Sequence, residues 1–183
     1  MFNIYGEDIE QIMSSIASGV NYDFIPADDA INYREENLVK PLRELLGRVK
    51  GRLNELNEKP ISKLNSSRYE FATILYKLNK SMLWVYDVNN YNSFREWCKG
   101  ELSVSTEFVT MYLKVAKFML RFDKPFNIFD NQDYTISKLY SLSVIPVDEL
   151  KDLANTHVIS GKMTAREIQK FVSEYKNELW QSR

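Results

Sequence analysis

Cysteine occurs once in this chain of 183 residues, as Cys98, and histidine once, as His157. A single cysteine excludes an internal disulfide framework and any multi-cysteine metal site, and it suits the cytoplasm. Glycine (6) and proline (5) are scarce, which favours helices over turn-rich β structure. No run approaches the ~20 apolar residues of a membrane span. The N-terminal MFNIYGEDIE lacks the basic start and apolar core of a signal peptide. The Walker A pattern G-x-x-x-x-G-K-[ST] is missing as well. Net charge is only −1, so the chain as a whole is not a basic nucleic-acid binder. No nucleophile, base and orienting group recur together. His157 falls near the end of a helix expected over 147–156 and reads as a cap or surface residue, and Cys98 beside Trp97 reads as a buried thiol. Asp130 and Asp133 fall in a polar loop, and Asp148 and Glu149 in a helix's first turn. The chain is therefore expected to be no enzyme and to need no cofactor.

What the chain does carry is 44% apolar residues, with aromatics at 13%. That suffices for the core of one domain, or of one domain with an arm. Charge is unevenly placed. Residues 1–33 hold six acids and no Lys or Arg, residues 34–68 nine bases against five acids, and residues 95–124 six against four. Local basic faces bind phosphate even when total charge is near zero, and an acidic arm folded over them would screen them. The expected fold is all-α: a helical bundle with a helix-turn-helix unit and a C-terminal array of short helices. An acidic arm (1–33) would precede an all-α domain (34–183), itself made of a long-helix hairpin (34–88), the helix-turn-helix (89–124) and the short helices (125–183).

Periodicity supports this. Ile9, Ile12, Met13, Ile16 and Val20 share one side of a short helix within 4–20. Val39, Leu42, Leu46, Val49, Leu53 and Leu56 repeat at threes and fours, and Leu38 and Leu45 widen the stripe. Pro41 sets the start of that helix near Lys40. Such a seam serves a homodimer or a bundle core, and the bundle helix is the preferred reading. Gly47 and Gly51, one turn apart, permit close helix contact, while Arg43, Arg48, Lys50 and Arg52 decorate the outside. A helix over 66–87 sets Phe71, Ile74, Leu75, Leu78, Met82, Leu83 and Val85 inward. Beyond residue 125, Thr135 or Ser137, Pro146, and Thr164 with Glu167 mark three further helix starts.

The most informative stretch is 91–121, YNSFREWCKGELSVSTEFVTMYLKVAKFMLR. Ser93 with Glu96 forms a capping box for a first helix. Phe94, Trp97 and Cys98 share its inner face, Lys99-Gly100 ends it, and Leu102 plugs the gap to the next helix. Ser103, Ser105 or Thr106 caps a second helix. On that helix Phe108, Met111, Tyr112, Val115, Phe118, Met119 and Phe122 form an apolar face, and Glu107, Thr110, Lys114, Lys117 and Arg121 form a polar stripe that turns basic at its end. Helix, tight turn and longer helix is the layout of a helix-turn-helix, whose second helix starts in the DNA major groove. The candidate DNA-binding residues are therefore Ser103, Ser105, Thr106 and Thr110, small enough for close approach, with Lys114, Lys117 and Arg121 running along the backbone. The same pattern also fits an ordinary pair of packed helices with a solvated face.

The runs SFREWCKGELSVSTEFVTMYLKVAKFM, YTISKLYSLSVIPVDELKDL and GKMTAREIQKF, spread over roughly residues 69–180, resemble the plasmid-partition family of the Lyme-disease spirochaetes and, more broadly, ParB-like partition and phage regulatory proteins. The resemblance implies a centromere-binding protein that recognises double-stranded DNA and recruits a separate ParA-type ATPase. It does not supply the base-contacting residues, which rest on their position in the second helix. The Gly-Glu-Arg-Arg motif of larger ParB proteins is missing, the nearest basic run being Gly47-Arg48-Val49-Lys50-Gly51-Arg52, so a CTP-dependent clamp is not expected. The alternative is a helical protein-interaction scaffold or regulator that uses the 39–56 stripe and does not touch DNA.

Overall fold

The computed structural model describes residues 7–19, 35–58, 61–87, 89–122 and 134–181. Eight α-helices occur among them and no strand. They are α1 (Glu7–Gly19), α2 (Lys40–Glu58), α3 (Ile61–Ser81), α4 (Phe94–Leu102), α5 (Thr106–Met119), α6 (Ile136–Leu142), α7 (Val147–Asn155) and α8 (Ala165–Gln181). A π-helical turn, Glu35–Val39, leads into α2, and a 3-10 turn, Leu83–Tyr86, follows α3. The chain is all-α, as its periodicity and scarce glycine imply. Residues 20–34 and 123–133, the latter holding the polar loop expected around Asp130 and Asp133, lie outside the described residues, as does Pro60.

The chain forms two compact units, Met1–Glu58 with Thr73–Val109, and Lys59–Ala72 with Thr110–Arg183. In the first, α1 packs on α2, on the π-helical turn and on the 3-10 turn. Ile9 and Ile16 of α1 are buried, as are Leu38, Val39, Leu45, Val49 and Leu56. Half of the 39–56 stripe (Val39, Val49 and Leu56) is thus buried inside the chain, whereas Leu42, Leu46 and Leu53 are only half-buried. In the second unit, α8 packs on α6. Ile136, Leu139, Leu142, Ile145, Leu150, Ile159 and Ile168 form its interior, together with Phe118 and the edge-on Phe118–Phe122 pair at 5.1 Å. Tyr69 is buried there too, its hydroxyl donating to the carbonyl of Tyr134.

Several helix starts follow the sequence closely, but α3 begins at Ile61, ahead of the start expected at residue 66. Thr164 and Glu167 form a reciprocal capping box: the Thr164 N–H donates to Glu167 Oε2 at 2.6 Å, and the Glu167 N–H donates to Thr164 Oγ1 at 3.2 Å. Thr135 caps α6 through the Lys138 N–H at 3.4 Å, and Pro146 stands just ahead of α7.

Helix ends depart from expectation. The helix expected over 66–87 stops at Ser81, because the Ser81 hydroxyl donates to the Leu78 carbonyl and accepts from the Leu83 N–H. Met82 then turns left-handed at φ 58°, so Met82 and Val85 are 52% and 47% exposed instead of facing inward. Gly100 is not a left-handed C-cap; it lies within α4, and Ser103 takes the left-handed conformation at φ 55°. His157 likewise turns left-handed at φ 59° just beyond α7 and is exposed.

The glycines separate into two kinds. A Cβ at Gly100 would sit 2.7 Å from Cε1 of Tyr91, whose hydroxyl is held by Glu101 at 2.7 Å. A Cβ at Gly47 or Gly51 would meet nothing within 4 Å, so no helix among the described residues uses the close approach they permit. Gly100→Ala should therefore destabilise the protein by about 1–3 kcal/mol, because the Tyr91 ring must leave its place. Gly47→Ala and Gly51→Ala should each stabilise it by about 0.5–1 kcal/mol through the better helix propensity of alanine. Urea unfolding of the three variants measures both signs.

Candidate nucleic-acid interface

The expected helix-turn-helix begins with a tightly held first helix. Ser93 accepts the Glu96 N–H at 3.2 Å, while the Glu96 carboxylate reaches back to the N–H of Asn92 at 3.1 Å. The return bond thus goes one residue further back than a standard capping box requires. Phe94, Trp97, Cys98 and Leu102 are buried. Phe94 stacks on Trp97 at 5.6 Å, and Trp84 lies 6.1 Å from Phe94. The preceding segment is tied to α4 by polar bonds. Trp97 Nε1 donates to Asp87 Oδ2 at 2.9 Å, and Asn89 Nδ2 donates to Glu101 Oε1 at 2.9 Å.

Three residues, Ser103 to Ser105, separate α4 from α5. The seven candidate DNA-binding residues do not play equivalent parts here. Ser103 is exposed but belongs to the end of α4. Ser105 is the cap of α5, accepting the Phe108 N–H at 3.1 Å. Thr106 opens the helix, its hydroxyl 3.1 Å from Glu107 Oε1. That carboxyl is held below the usual range, chiefly by its own backbone N–H and then by the Ser105 and Thr106 hydroxyls. Thr110 and Lys114 are half-buried, and Lys117 is exposed. At about 100° per residue, Thr110, Lys114 and Lys117 fall within an arc of about 60°. Arg121 is exposed but lies beyond α5, in a turn closed by its N–H on the Phe118 carbonyl at 3.0 Å.

The opposite side of α5 is covered. Val109, Tyr112, Val115, Ala116, Phe118 and Met119 are buried, as is Phe122 beyond the helix end. Phe108 and Met111, expected on that face, are only half-buried, and Val109 and Ala116 complete it instead. Comparison with family models, with curated proteins and with solved structures gives no match.

Charges differ between helices. On α2 three of the five cations are met by carboxylates: Arg48 by Glu44 at 3.6 Å, Arg52 by Glu55 at 3.3 Å, and Lys50 by Glu101 at 3.6 Å. Among the described residues no carboxylate pairs with Lys114, Lys117 or Arg121. Lys114 instead rests 4.6 Å from the centroid of the Tyr140 ring on α6. Sequence reading missed Tyr140. The run Ser137-Lys138-Leu139-Tyr140 signalled a helix, but not which side chain would reach α5.

Other chemistry is sparse. Among the described residues no group of three or more His, Cys, Asp or Glu stands ready to hold a metal, and no helix is long and apolar enough to cross a membrane. An apolar cleft of about 50 Å³ in the first unit, bounded by Leu42, Leu46, Leu83, Trp84 and Trp97, is far below the ~300 Å³ at which ligand pockets begin. Cys98 is fully buried, and burial pushes its thiol from 9.0 up to about 12. Its folded value therefore lies above its unfolded one. Below about pH 9 the thiol is protonated in both states, and the protonated form's stability is fully present. As pH rises from about 9 towards 12 the unfolded chain ionises first and stability is lost, by at most about 1.4 kcal/mol per pH unit from this group. Cys98→Ala should flatten that decline in urea unfolding followed across alkaline pH. Buried Tyr69, also raised to about 12 by desolvation, would supply part of the remainder.

Proposed function

We propose that this chain is a DNA-binding plasmid-partition protein that contacts double-stranded DNA through α5 and works with a separate ParA-type ATPase. The observation that carries the reading is the contrast in charge between α2 and α5. Arg48, Lys50 and Arg52 of α2 are offset by neighbouring acids, whereas Lys114 and Lys117 of α5 and Arg121 just beyond it have no carboxylate partner among the described residues. A short row of uncompensated cations beside small hydroxyl residues suits phosphate contact with nearby groove readout. The resemblance of residues 69–180 to partition proteins supports the same conclusion and supplies the ATPase partner.

The test is titration of the purified protein against labelled duplex from upstream of its own reading frame, with scrambled competitor, over a range of salt. Binding should survive the competitor. Lys117→Ala and Arg121→Ala should each weaken binding across sequences and reduce the salt slope by about one. Unchanged slopes in both variants would move the interface off α5.

A second reading, a protein-interaction scaffold without DNA affinity, is favoured by one feature. Met82 and Val85 expose apolar side chains in the segment whose Leu83 and Trp84 line the small cleft. If that reading holds, no DNA binding appears, and Met82→Ser with Val85→Ser abolishes partner capture.

A further inference from the structure

We infer that Tyr140 belongs to the DNA-contacting surface of the second unit, where it is a positioning residue for Lys114. This rests on the DNA reading above. A lysine on an open helix face samples many rotamers, and fixing it against a phosphate costs conformational entropy. Lys114 is already partly ordered, because its Nζ lies 4.6 Å from the Tyr140 ring centroid. That is within the ~6 Å over which an aromatic face attracts an ammonium. The ring attracts the cation without consuming it as a salt bridge would. The full positive charge remains, and N–H donors directed away from the ring are open to a phosphate oxygen.

The platform is itself held firmly. Tyr140 lies in α6, whose Ile136, Leu139 and Leu142 are buried and whose start is capped by Thr135. The Tyr140 carbonyl accepts the Ser143 hydroxyl at 2.6 Å. Two residues earlier, Lys138 Nζ donates to the Gly161 carbonyl at 2.8 Å, and α8 packs on α6. The cations of the surface are therefore unequal. Lys114 is directed by a fixed ring, while Lys117 and Arg121 are exposed and adapt to the backbone they meet.

A double-mutant cycle on the full chain tests this, using Lys114→Met, Tyr140→Phe, Tyr140→Leu and the Lys114→Met/Tyr140→Leu pair. Affinity for one duplex is read by fluorescence anisotropy at several salt concentrations, and each variant is also melted thermally. Tyr140→Phe, which keeps the ring face, should bind within about twofold of the parent chain. Tyr140→Leu should weaken binding roughly three- to tenfold while leaving the salt slope unchanged, because the charge stays. In the Lys114→Met background Tyr140→Leu should cost nothing more. Equal losses in both backgrounds overturn the positioning role, since the ring would then act without Lys114. So does an unchanged affinity in Tyr140→Leu beside a loss in Lys114→Met, an outcome that leaves the DNA reading standing. Absence of binding by the parent chain removes both. Should Tyr140→Leu unfold, Tyr140→Met takes its place in the cycle.

Discussion

Burial along one side of α5 sets the rotation of that helix about its axis, and the candidate interface depends on that rotation. Val109 and Val115 are wholly enclosed, and Tyr112, Ala116 and Phe118 are nearly so. Burying a large apolar side chain contributes about 1.5–3 kcal/mol. Turning the helix by about 100° towards its polar side would expose that face and enclose Lys114 and Lys117 without carboxylate partners. Several kcal/mol per buried ion would then oppose the turn. Both effects have the same sign, so the basic stripe faces outward because the apolar face admits no other setting.

Charge on the chain is divided by local neighbours rather than by region. Residues 34–68 are the more basic stretch, yet Arg48, Arg52 and Lys50 of α2 face Glu44, Glu55 and Glu101. Such exposed pairs add little stability. Their consequence is electrostatic: they lower the potential a phosphate would meet there. The smaller excess over 95–124 is left uncompensated on α5, so a modest charge carries more weight than the larger one. The acidic segment begins with α1, which packs on α2 through its apolar side.

The turn ahead of α5 is defined by backbone and capping chemistry. Ser103 accepts a left-handed conformation that most side chains avoid, and Ser105 satisfies the Phe108 N–H. Asp87 and Glu101 bind the incoming segment to α4, and Gly100 leaves room for the Tyr91 ring that Glu101 holds. Two of the small hydroxyl residues expected to read DNA are thus occupied with ending one helix and starting the next. Thr106 and Thr110 remain on the helix beside the cations.

Much of the fold was legible in the sequence. Threes and fours in the apolar pattern, the Ser93, Thr135 and Thr164 caps and Pro146 each act within a turn or two of chain, so those helix starts follow from local chemistry, whereas the start of α3 at Ile61 did not. The buried fate of Cys98 followed from its place beside Trp97. The ends of α3 and α4 were not legible, because Met82 and Ser103 take left-handed conformations that their residue types do not announce. Nor was the open surface at Gly47 and Gly51, since whether a second helix approaches depends on packing. For the interface, the sequence by itself determined which residues lie on the polar side of α5, because helical periodicity needs no partner. Only the tertiary structure decided that Lys50 meets Glu101 and that Tyr140 sits over Lys114, because those contacts join residues 51 and 26 positions apart, a distance over which no local rule operates.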